Sequence, residues 1–255
     1  MLTSTDRNGL HKIVVLNPKG GCGKTTLATN LASYYALHGP PPTLVDCDSQ
    51  GFSLRWLDQR PDDRPEIHGI SAYEHIVRPA ESLQSRISSD TSTVIFDLPG
   101  SVGYDKIHSL TYDANSILIP ILPSAIDVYS ASRFIAELLL VTQLDRRNRQ
   151  LAVIANRTRH RTKSFQMLTR FLTSLQIPLI AVLRDSQNYV HAASQGIGIF
   201  EMPAYKAGKD VAQLKMIISW LDQWRMRQLD AAASSRFEHV LGAQVLTPAH
   251  LRNHR

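Results

Sequence analysis

The chain has 255 residues, 43% of them hydrophobic and 20% charged, a balance suited to one soluble globular domain with a full core. No run of about 18 apolar residues is present, and the N-terminal stretch MLTSTDRNGLHK lacks the apolar segment of a secretory signal, so the expected place is the cytosol. Two cysteines, Cys22 and Cys47, with no CxxC or zinc spacing argue against a disulfide framework or structural metal, while a net charge of +6 makes contact with a polyanion plausible.

In chain order, KIVVLN (12–17) is a short β-branched run that leads at once into glycines and then into a helical pattern from Lys24 to His38. Strand, loop and helix follow one another. The same alternation returns at TLVDCD (43–48), STVIFD (92–97), NSILIPIL (115–122) and LAVIAN (151–156), each followed by a helical segment. This predicts an α/β fold, a doubly wound, mainly parallel sheet flanked by helices on both faces. DQRPDDRPE (58–66) is expected to be a surface loop. Ile126, Phe134, Ile135, Leu138 and Leu139 fall at helical spacing and are expected in the core. A helical segment centred on 211–229 ends the fold. A single domain over 1–255 is expected, with 1–11 and about 246–255 flexible.

In a doubly wound sheet ligands collect at the C-terminal ends of strands. Those ends carry Lys19 to Thr25, then Asp46 with Asp48, then Asp97. The stretch NPKGGCGKTT (17–26) follows a strand and opens a helix, the setting in which backbone N–H groups and the helix terminus hold phosphate. Lys24 would reach the β- and γ-phosphates and the Thr25 hydroxyl would ligate Mg²⁺. Pro18 stands where the usual G-x-x-x-x-G-K-T loop has its first glycine, and the run is instead K-G-G-x-G-K-T-T, with two lysines.

This spelling resembles the ParA/MinD family of deviant Walker-A ATPases, P-loop NTPases of the SIMIBI type, over roughly residues 12–225. The resemblance implies an ATP- and Mg²⁺-dependent ATPase whose slow turnover a partner stimulates. Lys24 and the loop residues Gly20, Gly21, Cys22, Gly23, Thr25 and Thr26 would hold the chain's own nucleotide. Lys19 would cross a nucleotide-sandwiched homodimer to the partner's phosphates, a cation donated in trans to a dense negative charge. VDCDSQG resembles the family's D-x-D-P-Q segment, so Asp48 would orient the attacking water and Asp46 would lie in the Mg²⁺ shell with Thr25 and Asp97. Ser49 replaces that proline, and Pro99-Gly100 replaces the commoner Pro-Pro.

By the same resemblance, Asn156 and Pro203 would lie against the adenine, with the loop in IPILPSAIDV nearby. Basic residues are dense from Arg146 to Arg184 and again from Lys206 onward. Family members use such residues to bind double-stranded DNA without sequence preference, and Arg184, Lys206, Lys209 and Lys215 are the candidates here. A cytoplasmic, nucleoid-associated ATPase follows, working with a ParB-like or cargo-adaptor protein on a plasmid, a chromosome or a protein compartment such as the carboxysome. The alternatives are a MinD-like membrane-switched protein, which the Gly242 and Pro248 interruptions and the lack of lysine in 236–255 disfavour, and a metabolic ATP-dependent enzyme on the same fold.

Overall fold

The computed structural model describes residues 10–73, 85–100, 102–111, 113–141, 151–158 and 162–245, with the backbone alone at 104–106, 141, 224 and 227–245. The sequence opens with β1 (His11–Val15), α1 (Lys24–His38), β2 (Thr43–Asp46), α2 (Phe52–Asp58) and β3 (His68–Ser71). It continues through β4 (Thr93–Asp97), α3 (Tyr104–Thr111), β5 (Ser116–Ile121), α4 (Ala125–Val141) and β6 (Leu151–Thr158). The last elements are α5 (Lys163–Ser174), β7 (Leu179–Arg184), α6 (Gln187–Ala193), a 3₁₀ turn (Ile199–Glu201) and α7 (Ala204–Val245).

All the strand pairs are parallel, in the order β3-β2-β4-β1-β5-β6-β7. The doubly wound sheet expected from the alternation is therefore present. Strand side chains alternate between two cores because their period is two. Val14, Phe96, Ile117 and Val153 pack on one face with Phe134, Ile135 and Leu138 of α4. Ile13, Val15, Ile95, Leu118 and Ile154 pack on the other with Leu27 and Leu31 of α1 and Leu214 and Ile217 of α7. Both faces are covered, which is why these strands read as continuous apolar runs. Val15, Asp46 and Asp97 are level neighbours in the register, so the carboxyl ends of three central strands form one rim.

The structure corrects three expectations. Ile126 is 74% exposed, since α4 turns its 126–129–133 face away from the sheet. The edge strands β3 and β7 add to the five strands read from sequence. Arg60, inside the presumed surface loop, is buried: its side chain is 5% exposed and its guanidinium forms a pair with Glu201, whose side chain is 0% exposed. Glu201 Oε2 also accepts from Ser33 Oγ at 2.7 Å and from the Gly198 N–H at 2.7 Å. One carboxylate thus joins α1, the loop after α2 and the 3₁₀ turn.

Removing one partner of such a pair leaves a buried charge without compensation. Arg60→Ala should therefore cost about 3–5 kcal/mol of unfolding free energy, and the double variant Arg60→Met/Glu201→Gln much less. Urea denaturation of the two variants measures the difference; equal losses would show that packing, not charge, is what the pair supplies.

Candidate nucleotide site

The loop from Asn17 to Gly23 is tied at both ends. Asn17 Nδ2 donates to the Pro120 carbonyl of β5 at 2.7 Å while its Oδ1 accepts the Lys19 N–H at 2.9 Å. At the far end Asn156 Nδ2 donates to the Cys22 carbonyl at 2.8 Å. Gly23 is left-handed at φ +97°, and a Cβ there would stand 2.1 Å from Asn156 Nδ2, so only glycine fits on both counts. Gly100 has a matching reason: a Cβ would lie 2.8 Å from the Pro18 carbonyl oxygen, so glycine in place of the family's second proline admits the loop's own proline.

The two lysines have different surroundings. Lys24 is buried, and its Nζ donates to the Lys19 carbonyl at 3.2 Å, across the turn of the loop. Lys19 is exposed, and the interaction at its backbone leaves the side chain in solvent. Thr25 and Thr26, in the first turn of α1, are half-buried behind the loop, with Gly20 and Gly21 exposed at its tip. No acidic side chain occupies that first turn, which leaves its field positive.

Among the carboxylates, Asp46 is buried and has its oxygens engaged: Oδ1 accepts the Asp48 N–H, and Oδ2 accepts the N–H groups of Ser53 and Leu54. It holds the 47–54 turn in place and so acts on the site from behind. Asp48 is half-buried on that turn, with Oδ1 accepting the Gln50 N–H at 3.0 Å. Asp97 is 2% exposed, and its Oδ1 has no hydrogen-bond partner. Burial, and then the charge of Asp46, push its pKa up to about 7 against the pull of Thr25, Ser53 and Lys24. Ser53 Oγ is buried beside it. A desolvated carboxylate oxygen with no donor, beside a threonine hydroxyl and a lysine, fits a cation's shell. No cluster of three His, Cys, Asp or Glu occurs among the described residues. Ser53 was not singled out from sequence; its place seven residues after Asp46 is the signal that could have found it.

On the other side of the loop, Gly23, Thr26, Pro120, Asn156, Tyr189 and Leu214 line a narrow crevice. A wider pocket of about 360 Å³ opens next to it between the ends of β5, β6 and β7, lined by Pro123, Ser124, Asp127, Arg157, Thr162 and Asp185. Arg157 has φ +49° and its Nε meets Asp185 Oδ1 at 3.0 Å. Asn156 stands between crevice and loop, its Oδ1 accepting the Arg157 N–H at 2.9 Å. Pro203 is exposed at the start of α7 and lines neither cavity. Arg157 and Asp185 line this pocket and were not singled out from sequence for the nucleotide site; each directly follows a residue that was named, Asn156 and Arg184.

Both thiols are buried, and burial raises the pKa of each, so Cys22 and Cys47 pack as small apolar groups. Of the basic candidates, Arg184 needs correction as a free cation: it grips buried Asp210 through Nε at 2.6 Å and Nη2 at 2.8 Å, fastening β7 to α7. Lys206, Lys209 and Lys215 are exposed on α7, with Lys206 and Lys215 on opposite flanks because nine residues advance a helix by two and a half turns. Arg146, Arg147, Arg149, Arg159 and Arg161 lie outside the described residues.

A family model described as the CobQ/CobB/MinD/ParA nucleotide binding domain matches residues 13–199. The chain is 26% identical over 198 residues to the maintenance of carboxysome distribution protein A of Halothiobacillus neapolitanus, covering 77% of this chain and 90% of that one. With the protein of the same name from Gloeobacter kilaueensis it shares 28% over 224 residues, 84% of this chain and 95% of the other. A putative plasmid partition protein from Borrelia burgdorferi bound to AMPPNP has the same fold, with a TM-score of 0.64 at 12% identity over 82% of this chain and 99% of that one.

An acid with a raised folded-state pKa favours the fold most when protonated, so the Asp97 contribution is full below about pH 4 and is lost as pH rises to about 7. Three pH units correspond to up to about 4 kcal/mol. Asp97→Asn should accordingly raise the melting temperature of the ligand-free chain at pH 8 and not at pH 4. An equal gain at both would contradict the desolvation account.

Proposed function

Because the chain belongs to the CobQ/CobB/MinD/ParA nucleotide binding domain family, we propose that it is a ParA-type ATPase that pairs around two ATP molecules. In that paired form it binds DNA without sequence preference, and with a partner that stimulates hydrolysis it positions or segregates a cargo. The observation that carries this reading is the divergence of two lysines on one loop: Lys24 is buried against the loop's own carbonyl, and Lys19 stands in solvent on a pinned backbone.

Two triphosphates facing each other repel, and a cation supplied by the opposite chain offsets that repulsion only when both sites are loaded. Lys19 is placed to be that cation. Lys24, with the N–H groups of Gly20 to Thr26, holds the chain's own phosphates. Thr25 and Asp97 would hold Mg²⁺, with Asp46 fixing the turn beside them; the ion supplies charge neutralisation at the phosphates. Asp48, with Oδ1 accepting the Gln50 N–H, orients water toward the terminal phosphate. The pocket between Pro123, Arg157 and Asp185 takes the adenine, and Asn156 couples the pocket to the loop through Cys22.

DNA contact falls to Lys206, Lys209 and Lys215, and pairing would double their number and sharpen the salt dependence. The relatives' names support a protein-compartment cargo such as the carboxysome. Among the described residues no helix is long and apolar enough to cross a membrane, and a nucleoid-associated, cytoplasmic protein of one domain is the accompanying proposal.

Lys24→Ala should abolish ATP binding. Asp48→Ala should bind ATP and double in mass by light scattering while turnover falls about hundredfold or more. Lys19→Ala should bind ATP with the mass of a single chain; a normal doubling would remove the trans role.

A further inference from the structure

Helix α7 rests on the sheet through Ala207, Asp210, Leu214, Ile217, Ile218 and Leu221. The opposite stripe, at spacings of three and four, is Lys209, Ala212, Met216, Ser219, Gln223 and Met226, and every one of these is exposed. Met216 is 59% and Met226 60% exposed, on a stripe holding a single charge. A solvated helix face is ordinarily rich in charge; this one has the heptad rhythm of a helix–helix seam.

From this stripe we infer that α7 pairs with α7 of a second copy of the chain, antiparallel, about a two-fold axis between Ile217 and Ile218. The register is dictated by size and charge. In an antiparallel pair centred there, Met216 lies over Ser219 of the second copy, Gln223 over Ala212, and Met226 along the stem of Lys209. Each bulky side chain meets a small or flexible one, so the seam fits itself. The same register sets Lys215 against Asp222 of the second copy, and symmetry supplies the ion pair twice. Lys215 and Asp222 are both exposed, and neither is in an ion pair among the described residues.

A second copy fits this stripe better than an anionic surface does, because Ala212, Met216, Ser219, Gln223 and Met226 are uncharged and offer a polyanion nothing beyond the lysines at the stripe's edge. The seam spans about 25 Å of helix, shorter than a standard stable interface requires, so the pairing is weak and concentration-dependent. It needs no nucleotide and lies on a face of the sheet rather than at the phosphate rim. With ATP bound, each chain would carry two self-complementary surfaces, and sandwich dimers could join through α7 into longer assemblies. Lys209 and Lys215 would then be shared between pairing and DNA.

Sedimentation equilibrium of the nucleotide-free chain, from micromolar to several hundred micromolar, tests this. The wild type should move from one chain toward two, Met216→Glu should stay at one, and Lys215→Asp or Asp222→Lys should each weaken pairing about tenfold. The double reversal Lys215→Asp/Asp222→Lys should restore it, a rescue that misfolding or general surface charge would not give. Lys19→Ala should pair as the wild type does, which separates this seam from the ATP sandwich. A chain that stays single throughout, an unaffected Met216→Glu variant, or a double reversal as weak as its parents would overturn the inference.

Discussion

Two asparagine side chains hold the phosphate loop in its working shape. Asn17 fastens its entrance to β5 through the Pro120 carbonyl, and Asn156 fastens its exit from β6 through the Cys22 carbonyl. Between these points the backbone passes through the left-handed positions of Gly21 and Gly23, the kind of turn in which successive N–H groups can form an anion-binding nest. Everything else about the site depends on that loop being rigid. Lys24 is buried and Lys19 exposed across the four residues that turn between them, and Asn156 joins that turn to the crevice beside it.

The electrostatics set one cost against this rigidity. Asp46 and Asp97 are register neighbours on adjacent strands, both buried. Asp46 is satisfied by three backbone N–H groups, whereas Asp97 keeps an oxygen without a donor and has a pKa near 7. The chain thus stores an unfavourable carboxylate at the rim where a cation and a triphosphate would relieve it. Ligand binding and local stability are linked by that group. Farther from the loop, Arg60–Glu201 and Arg184–Asp210 do the bracing: the first joins the loop after α2 to the turn ahead of α7, the second joins β7 to α7 itself.

Much of this was legible in the residues. Continuous apolar runs, four of them ending in Asp or Asn, named β1, β2, β4, β5 and β6 and the rim they share, and the K-G-G-x-G-K-T-T run named the loop. What escaped has physical causes. β3, His68–Ser71, contains one apolar core residue and takes its strand form from pairing with β2, a nonlocal effect. β7 carries the apolar run LIAVL, which the basic residue at its end obscured. Ile126 matched helical spacing but falls on the outer side of α4, since periodicity tells which residues share a face and not which face is covered. Charge counting likewise treated Arg60 and Arg184 as surface cations, because their acids lie 141 and 26 residues away along the chain.

The central claim is that Lys19 acts on the nucleotide of the opposite chain, and mixing two inactive variants tests it most directly. In a mixed dimer of Lys19→Ala and Asp48→Ala chains, one site has its own Asp48 and receives Lys19 from its neighbour, while the other site lacks both. The account predicts that ATP hydrolysis reappears on mixing, up to the rate of one working site per mixed dimer. If the mixture hydrolyses no more than the two variants do separately, although mixed dimers form, Lys19 serves its own chain and the nucleotide-dependent pairing described here is wrong.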